Sequence, residues 1–225
     1  KDQWGPNYHD DFVELYNLVF TQFYRNLDGN DTVLPAKNID TGLGLERTLA
    51  ILNDTGNVYE TDAFRPIIEH VEELSGKEWG NDTETDRSIR VVAEHARSAS
   101  FLIGDGVIPG NSGRGYVLRR LIRRGMLFGR ELGVDTPMLS ELSKTVSEHM
   151  GHAYPELVGN FEFIEYVLEK EEISFSKTLE FGAQVLAGMI DYRGANPDAS
   201  AQVKAGKKLK APLGDDAKAV GISQA

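Results

Sequence analysis

The sequence predicts an α+β chain in which an antiparallel hairpin precedes a mainly α-helical remainder, and three observations carry that reading. Two extended runs, Phe12 to Tyr24 and Val33 to Ile39, are rich in aromatic and β-branched residues and flank the turn signal Asp28-Gly29. From Asp62 onward apolar residues recur at helical spacing. Between these regimes, Asp40-Thr41-Gly42-Leu43-Gly44-Leu45-Glu46-Arg47 reads as a strand-to-helix turn.

Alternation along the first strand places Val13, Leu15, Asn17, Val19, Thr21 and Phe23 on one face. Asn17 then sits alone among apolar side chains, where a buried amide needs a partner, either neighbouring backbone or a polar ligand in a pocket. After the second strand, Leu45, Leu49 and Leu52 mark a helix that begins near Leu43. Ala63 to Ser75 forms an amphipathic helix with Gly76 as its stop. Polar Gly80 to Thr85 reads as a linker, so residues 1–80 and 81–193 are taken as two domains.

The second domain opens on a helix from about Arg87 to Ile103, with Ile89, Val92, Ala93, Ala96, Ala99 and Ile103 on its apolar side. Gly104 to Gly113 is a loop by composition, and Arg114 to Arg124 returns to helical spacing through Val117, Leu118, Leu121 and Ile122. Thr136 to Met150 is a further helix. Phe161 to about Ile190 is a long one, lined by Phe161, Ile164, Leu168, Phe175, Leu179, Leu186 and Ile190. The charged string Glu169 to Glu180 on it reads as a solvated face. Residues 194–225, rich in alanine, glycine, lysine and aspartate, read as a connector or loosely structured end.

Composition narrows the chemistry. With 225 residues, 40% of them apolar, the chain is long enough for one large or two modest cores. No run of 18 apolar residues and no basic-apolar start resembling a signal peptide occurs, so a soluble, cytoplasmic protein without membrane contact is expected. The absence of cysteine excludes disulfides, thiolate zinc sites and cysteine nucleophiles. Of the five histidines, His149 and His152 are spaced to share a helix face but lack a third ligand, and no metal site is expected. His95 has no identifiable nucleophile or orienting carboxylate beside it, and a structural role is expected.

The net charge of −11 hides a concentrated basic element. Arg114, Arg119, Arg120, Arg123, Arg124 and Arg130 fall between Gly113 and Arg130 with no acid among them, so the remainder carries −17. Arg119 with Arg123, and Arg120 with Arg124, form adjacent stripes one turn apart. A merely solvated helix carries interleaved acids at four-residue spacing; none is present here, which favours phosphate contact.

The strand-to-helix turn has an equally specific use. Gly42 and Gly44 let a ligand approach the backbone, the first helical N–H groups offer donors to an anion, and Arg47 suits a phosphate or an aromatic base. Asp40 is an acceptor for an ammonium group. The same residues serve equally as a helix cap, a tight turn and two solvated charges, and spacing alone leaves both readings open.

What separates them is the whole string. Asp40-Thr41-Gly42-Leu43-Gly44-Leu45-Glu46-Arg47 resembles motif 3 of the class II aminoacyl-tRNA synthetases, in the form carried by the alanyl-tRNA synthetases. Val13-Glu14-Leu15-Tyr16-Asn17-Leu18-Val19-Phe20 resembles the strand before that motif, and Trp4-Gly5-Pro6 a family segment whose tryptophan borders the alanine pocket. Arg90 to Ser98, Arg114-Gly115-Tyr116-Val117-Leu118-Arg119-Arg120, and Glu169 to Glu180 match further family segments in the same order.

The resemblance covers about residues 4 to 181 and implies the C-terminal part of a class II antiparallel-sheet catalytic domain followed by a helical tRNA-recognition domain. It implies ATP-dependent activation of alanine and its transfer to tRNA(Ala), with Mg²⁺ accompanying ATP. By resemblance, Asp40 pairs with the alanine ammonium, Asn17, Val19, Gly42 and Trp4 shape or border the pocket, and Gly44 and Arg47 serve ATP; no residue is a nucleophile. The family reads a G:U wobble pair of the acceptor stem through polar side chains near the basic helix. Asn111 is the candidate here, beside Arg114, Arg119, Arg120, Arg123 and Arg124, although an asparagine between glycines is also an ordinary turn residue. Many bacterial members carry another asparagine just before the arginine at 114, where this chain has Gly113.

Motifs 1 and 2 do not occur in this sequence, so these residues alone are expected to be inactive. The editing domain and its zinc site are likewise not in it, and nothing in the sequence speaks to oligomerisation. A non-catalytic RNA-binding module derived from a synthetase is the alternative, opposed by the intact Asp40 and Arg47.

Overall fold

Asp28 and Gly29 turn the chain as their types predict. In the computed structural model, which describes residues 12–135 and 137–195, Gly29 adopts φ 85 and donates its N–H to the Asn26 carbonyl. The strands on either side, β1 (Tyr16–Arg25) and β2 (Asp31–Leu43), pair antiparallel from Tyr16↔Leu43 to Thr21↔Asn38. The register then shifts before Phe23↔Val33. Pro35, which lacks a ladder donor, falls within the irregular stretch of β2.

The hairpin is a two-stranded sheet, and nearly every residue in it is exposed on both faces. This corrects the expectation of a buried Asn17. Period-two alternation identifies which side chains share a face, but among the described residues no layer covers that face. Asn17 is exposed, and Val19 keeps 53% of its surface in solvent.

The chain divides into two compact units, Lys1–Glu94 and His95–Ala225. In the first, β2 leads through Gly44 into α1 (Leu45–Leu52), then a 3₁₀ turn (Val58–Glu60) and α2 (Arg65–Ser75). Gly76 ends α2 in the left-handed region at φ 64, a conformation that costs glycine no Cβ clash. Phe64, Ile67, Ile68 and Val71 are buried here, as are Ile89, Val92 and Ala93 of α3 (Thr83–Gly104). Half of the expected linker, Thr83 to Thr85, is the first turn of α3: the Asp82 carboxylate, five residues before Arg87, accepts the Thr85 backbone N–H at 2.9 Å and caps the helix.

The second unit comprises the end of α3 with α4 (Gly113–Glu131), α5 (Leu139–Met150), α6 (Pro155–Gly159) and α7 (Phe161–Ala195). Leu118 and Ile122 of α4, Leu139, Leu142 and Val146 of α5, and Ile164 and Leu168 of α7 are fully buried at one-turn spacing. Gly125 allows a close approach: a Cβ there would lie 3.0 Å from a Leu139 methyl. Among the described side chains of the long helix, Phe175 is the last buried one, while Leu186 and Met189 are about half exposed, so over the described residues the expected brace is packed to near Ser176. Helix continues through Gly194 and Ala195; the rest of the expected connector lies outside the described residues.

Candidate functional site

Directly opposed residues of an antiparallel pair project from the same face, and residues two apart return to it. Val19 pairs with Asp40 and Asn17 with Gly42, so these four positions share one face of the hairpin. Gly42 lies within β2, and among the described residues a Cβ built on it would meet nothing within 4 Å. The described residues therefore leave space above the backbone beside Asp40.

Arg47 reaches the same hairpin from α1. Its Nη1 donates to the Glu14 carbonyl at 2.7 Å, and Asn17 Nδ2 donates to Glu14 Oε1 at 2.7 Å. Glu14 thus joins a side chain of this hairpin face to the guanidinium near the start of the helix, a link the sequence does not reveal. Gly44, at φ −71 and ψ 121, needs no glycine-specific backbone; its value is that it places no side chain over the first turn of α1. Trp4 lies outside the described residues.

In the second unit, the loop 105–112 is pressed onto the first turn of α4. Gly110 N donates to the Gly115 carbonyl at 3.0 Å, and a Cβ on Gly115 would stand 2.5 Å from the Ile108 carbonyl oxygen. Only glycine at 115 permits that approach. The loop carries Asn111, whose Oδ1 accepts a hydrogen bond from Arg119 Nη1, and Arg119 Nη2 also reaches the Pro109 carbonyl at 3.4 Å.

The arginine helix is not one uniform face. No acid lies between Gly113 and Arg130 on α4, but α7 supplies one: Glu171 Oε1 accepts from Arg119 Nε at 3.1 Å and from Arg123 Nε at 2.9 Å. The argument from missing acidic partners therefore fails for these two. Arg123 also lies over the Phe175 ring at 4.7 Å. Arg124 Nη1 is 3.0 Å from His95 Nε2 and stands over Phe128 at 5.2 Å. Because a guanidinium only donates, His95 Nε2 is the acceptor there. Arg114 and Arg120 remain exposed, Arg120 at 6.0 Å over the half-exposed Tyr116 ring.

Two acids in the charged string of α7 are buried, which corrects the reading of a solvated face. Glu171 is 8% exposed and Glu172 1%. The Glu172 carboxylate accepts the N–H groups of Met138, Leu139 and Ser140 at 2.9 to 3.0 Å, satisfying the donors at the start of α5. Burial raises its pKa above the ordinary glutamate range, and those three N–H groups pull the other way. Their sequence separation from these partners, 32 to 52 residues, is why no local pattern announces them.

Among the described residues no group of three His, Asp or Glu side chains is arranged to hold a metal ion, and no helix is long and apolar enough to cross a membrane. His152 Nδ1 is 2.9 Å from the His149 carbonyl.

Comparison with known proteins matches residues 2–203 to a family described as tRNA synthetases class II (A). An alanine–tRNA ligase from Desulfosudis oleivorans is 49% identical over 182 residues, covering 81% of this chain and 21% of the relative. Those of Thermotoga petrophila and Pediococcus pentosaceus are 48% and 47% identical over 183 and 180 residues, covering 81% and 80% of this chain. The chain spans about a fifth of the length of these curated relatives.

Proposed function

Because the chain belongs to the class II tRNA synthetases, we propose that it forms the part of an alanine–tRNA ligase that carries motif 3 and the acceptor-stem recognition helices. The observation that supports this reading best is the hairpin register. It gathers Asn17, Val19, Asp40 and Gly42 on one face, with Glu14 linking Asn17 to Arg47.

In this reading Asp40 holds the alanine ammonium, Asn17 and Val19 limit the pocket to a small side chain, and Gly42 leaves room for the substrate. Arg47 and the first turn of α1 after Gly44 bind ATP, which arrives with Mg²⁺ as part of the substrate. The alanine carboxylate oxygen attacks the α-phosphorus, and the bond to pyrophosphate breaks. The terminal tRNA hydroxyl then attacks the activated carbonyl and releases AMP. No side chain acts as a nucleophile, so the protein contributes positioning and charge stabilisation. The acceptor stem of tRNA(Ala) meets Asn111 and the basic face of α4. Arg114, Arg120 and Arg124 supply phosphate contacts, and Arg119 and Arg123 anchor that face to α7.

The test is alanine-dependent ATP–pyrophosphate exchange by the full-length gene product. Exchange that requires alanine is expected. Its absence, with tRNA binding retained, overturns the catalytic reading in favour of a non-catalytic RNA-binding module.

A further inference from the structure

Granted the acceptor-stem role of Asn111 proposed above, on which this rests, we infer that Glu171 is a specificity-positioning residue that acts on the recognition loop through Arg119. A side-chain amide can turn either end outward, and the two ends ask for opposite partners: Oδ1 for a donor, Nδ2 for an acceptor. A guanidinium has no acceptor atom. Arg119, bonded to Asn111, therefore fixes Oδ1 inward and leaves Nδ2 as the outward group. The loop presents a hydrogen-bond donor and selects a nucleic-acid edge that offers an acceptor at that point.

Arg119 can impose this choice only if its own guanidinium is held. Glu171, almost fully buried on α7, takes Arg119 Nε at 3.1 Å, which leaves Nη1 for Asn111 and Nη2 for the Pro109 carbonyl. The same Oε1 takes Arg123, so one carboxylate oxygen ties both α4 arginines to α7. Without Glu171 the Arg119 side chain regains its rotamer freedom, and Asn111 regains the freedom to flip. Glu171 is 60 residues from Asn111 in sequence and touches no proposed RNA contact except through these arginines.

The experiment uses the full-length gene product and two acceptor-stem hairpins that differ only in a G:U or G:C pair. Wild type is expected to prefer the G:U hairpin by about tenfold, the order of one well-placed base-edge contact. Glu171→Ala is expected to reduce that preference below about twofold, while affinity for the G:C hairpin, which rests on phosphate contacts, changes less than about threefold. Asn111→Ala should remove the preference in wild type and add less than about twofold in the Glu171→Ala background, a coupling that a merely structural role would not produce. If Glu171→Ala does not fold, Glu171→Gln carries the same test, with the preference expected to fall about threefold because a neutral carbonyl holds arginine more weakly. A wild type without preference overturns the reading of Asn111 and this inference with it. Preference in wild type that survives undiminished in the Glu171 variant overturns the positioning role alone.

Discussion

Val19 and Asp40 face each other directly across the two strands of the hairpin. A methyl-bearing side chain and a carboxylate on one face, with an unfilled glycine position at the next pair, offer an apolar wall and an ammonium acceptor at once.

Asp40→Asn keeps the volume and removes the charge. Loss of one charge-assisted hydrogen bond, about 2 kcal/mol, corresponds to a rise of about 30-fold in the alanine KM for pyrophosphate exchange. The ATP KM should stay within about twofold, because Arg47 is anchored on a backbone carbonyl that the substitution does not touch. Glu14→Ala is expected to follow Asp40, more weakly: it frees Asn17 but retains the carbonyl that Arg47 uses. An equal rise in ATP KM for either variant would reject this division of labour.

Arg114 and Arg120 are exposed cations of the basic helix, and they are expected to behave unlike the half-buried Arg123. Each Ala substitution should weaken binding of an acceptor-stem hairpin and reduce the slope of log K against log salt by about 0.7 to 0.9 per lost phosphate contact. Arg123→Ala should show its effect in thermal melting, since it strips the buried Glu171 carboxylate of one of two partners at a cost of about 2 kcal/mol. Identical salt slopes in wild type and in Arg114→Ala and Arg120→Ala would remove those two residues from the interface.

Glu172 gives the second unit a pH dependence of definite sign. Burial raises its carboxyl above the ordinary range, so the folded state holds the proton more tightly than the unfolded chain does. Its contribution is fully present below the unfolded glutamate pKa and is lost as pH rises through the elevated folded value. Glu172→Gln lacks that loss. The stability of wild type relative to the variant should therefore decline as pH rises above the unfolded glutamate pKa of about 4.3, followed by denaturant unfolding at several pH values. A relative stability that climbs over this range contradicts the assignment.

Much of this architecture is legible in the sequence. Asp28-Gly29 announces the hairpin, Gly76 the end of α2, and Leu118 with Ile122 the inner side of α4, because each depends on neighbours within a turn or two. The start of α3 was legible as well, through Asp82 three residues before Thr85, but a polar composition disguised it as a linker. Asn17 shows the limit of periodicity, which groups side chains into faces without revealing what lies over them. Glu171 and Glu172 show the limit of local reading altogether. A charged residue on a helix is ordinarily solvated, and here the partners come from 52 and 34 residues away.

Glu171 and Glu172 are consecutive, so the two carboxylates leave α7 about 100° apart, one turned toward the arginines of α4 and the other toward the first N–H groups of α5. That fixes the rotational phase of the helix. A single inserted or deleted residue between Asn160 and Glu171 would swing both acids off their partners in one step, whereas the same change after Ser176 would alter only reach. Length variation among natural homologues is accordingly expected to be confined to the far half of this rod.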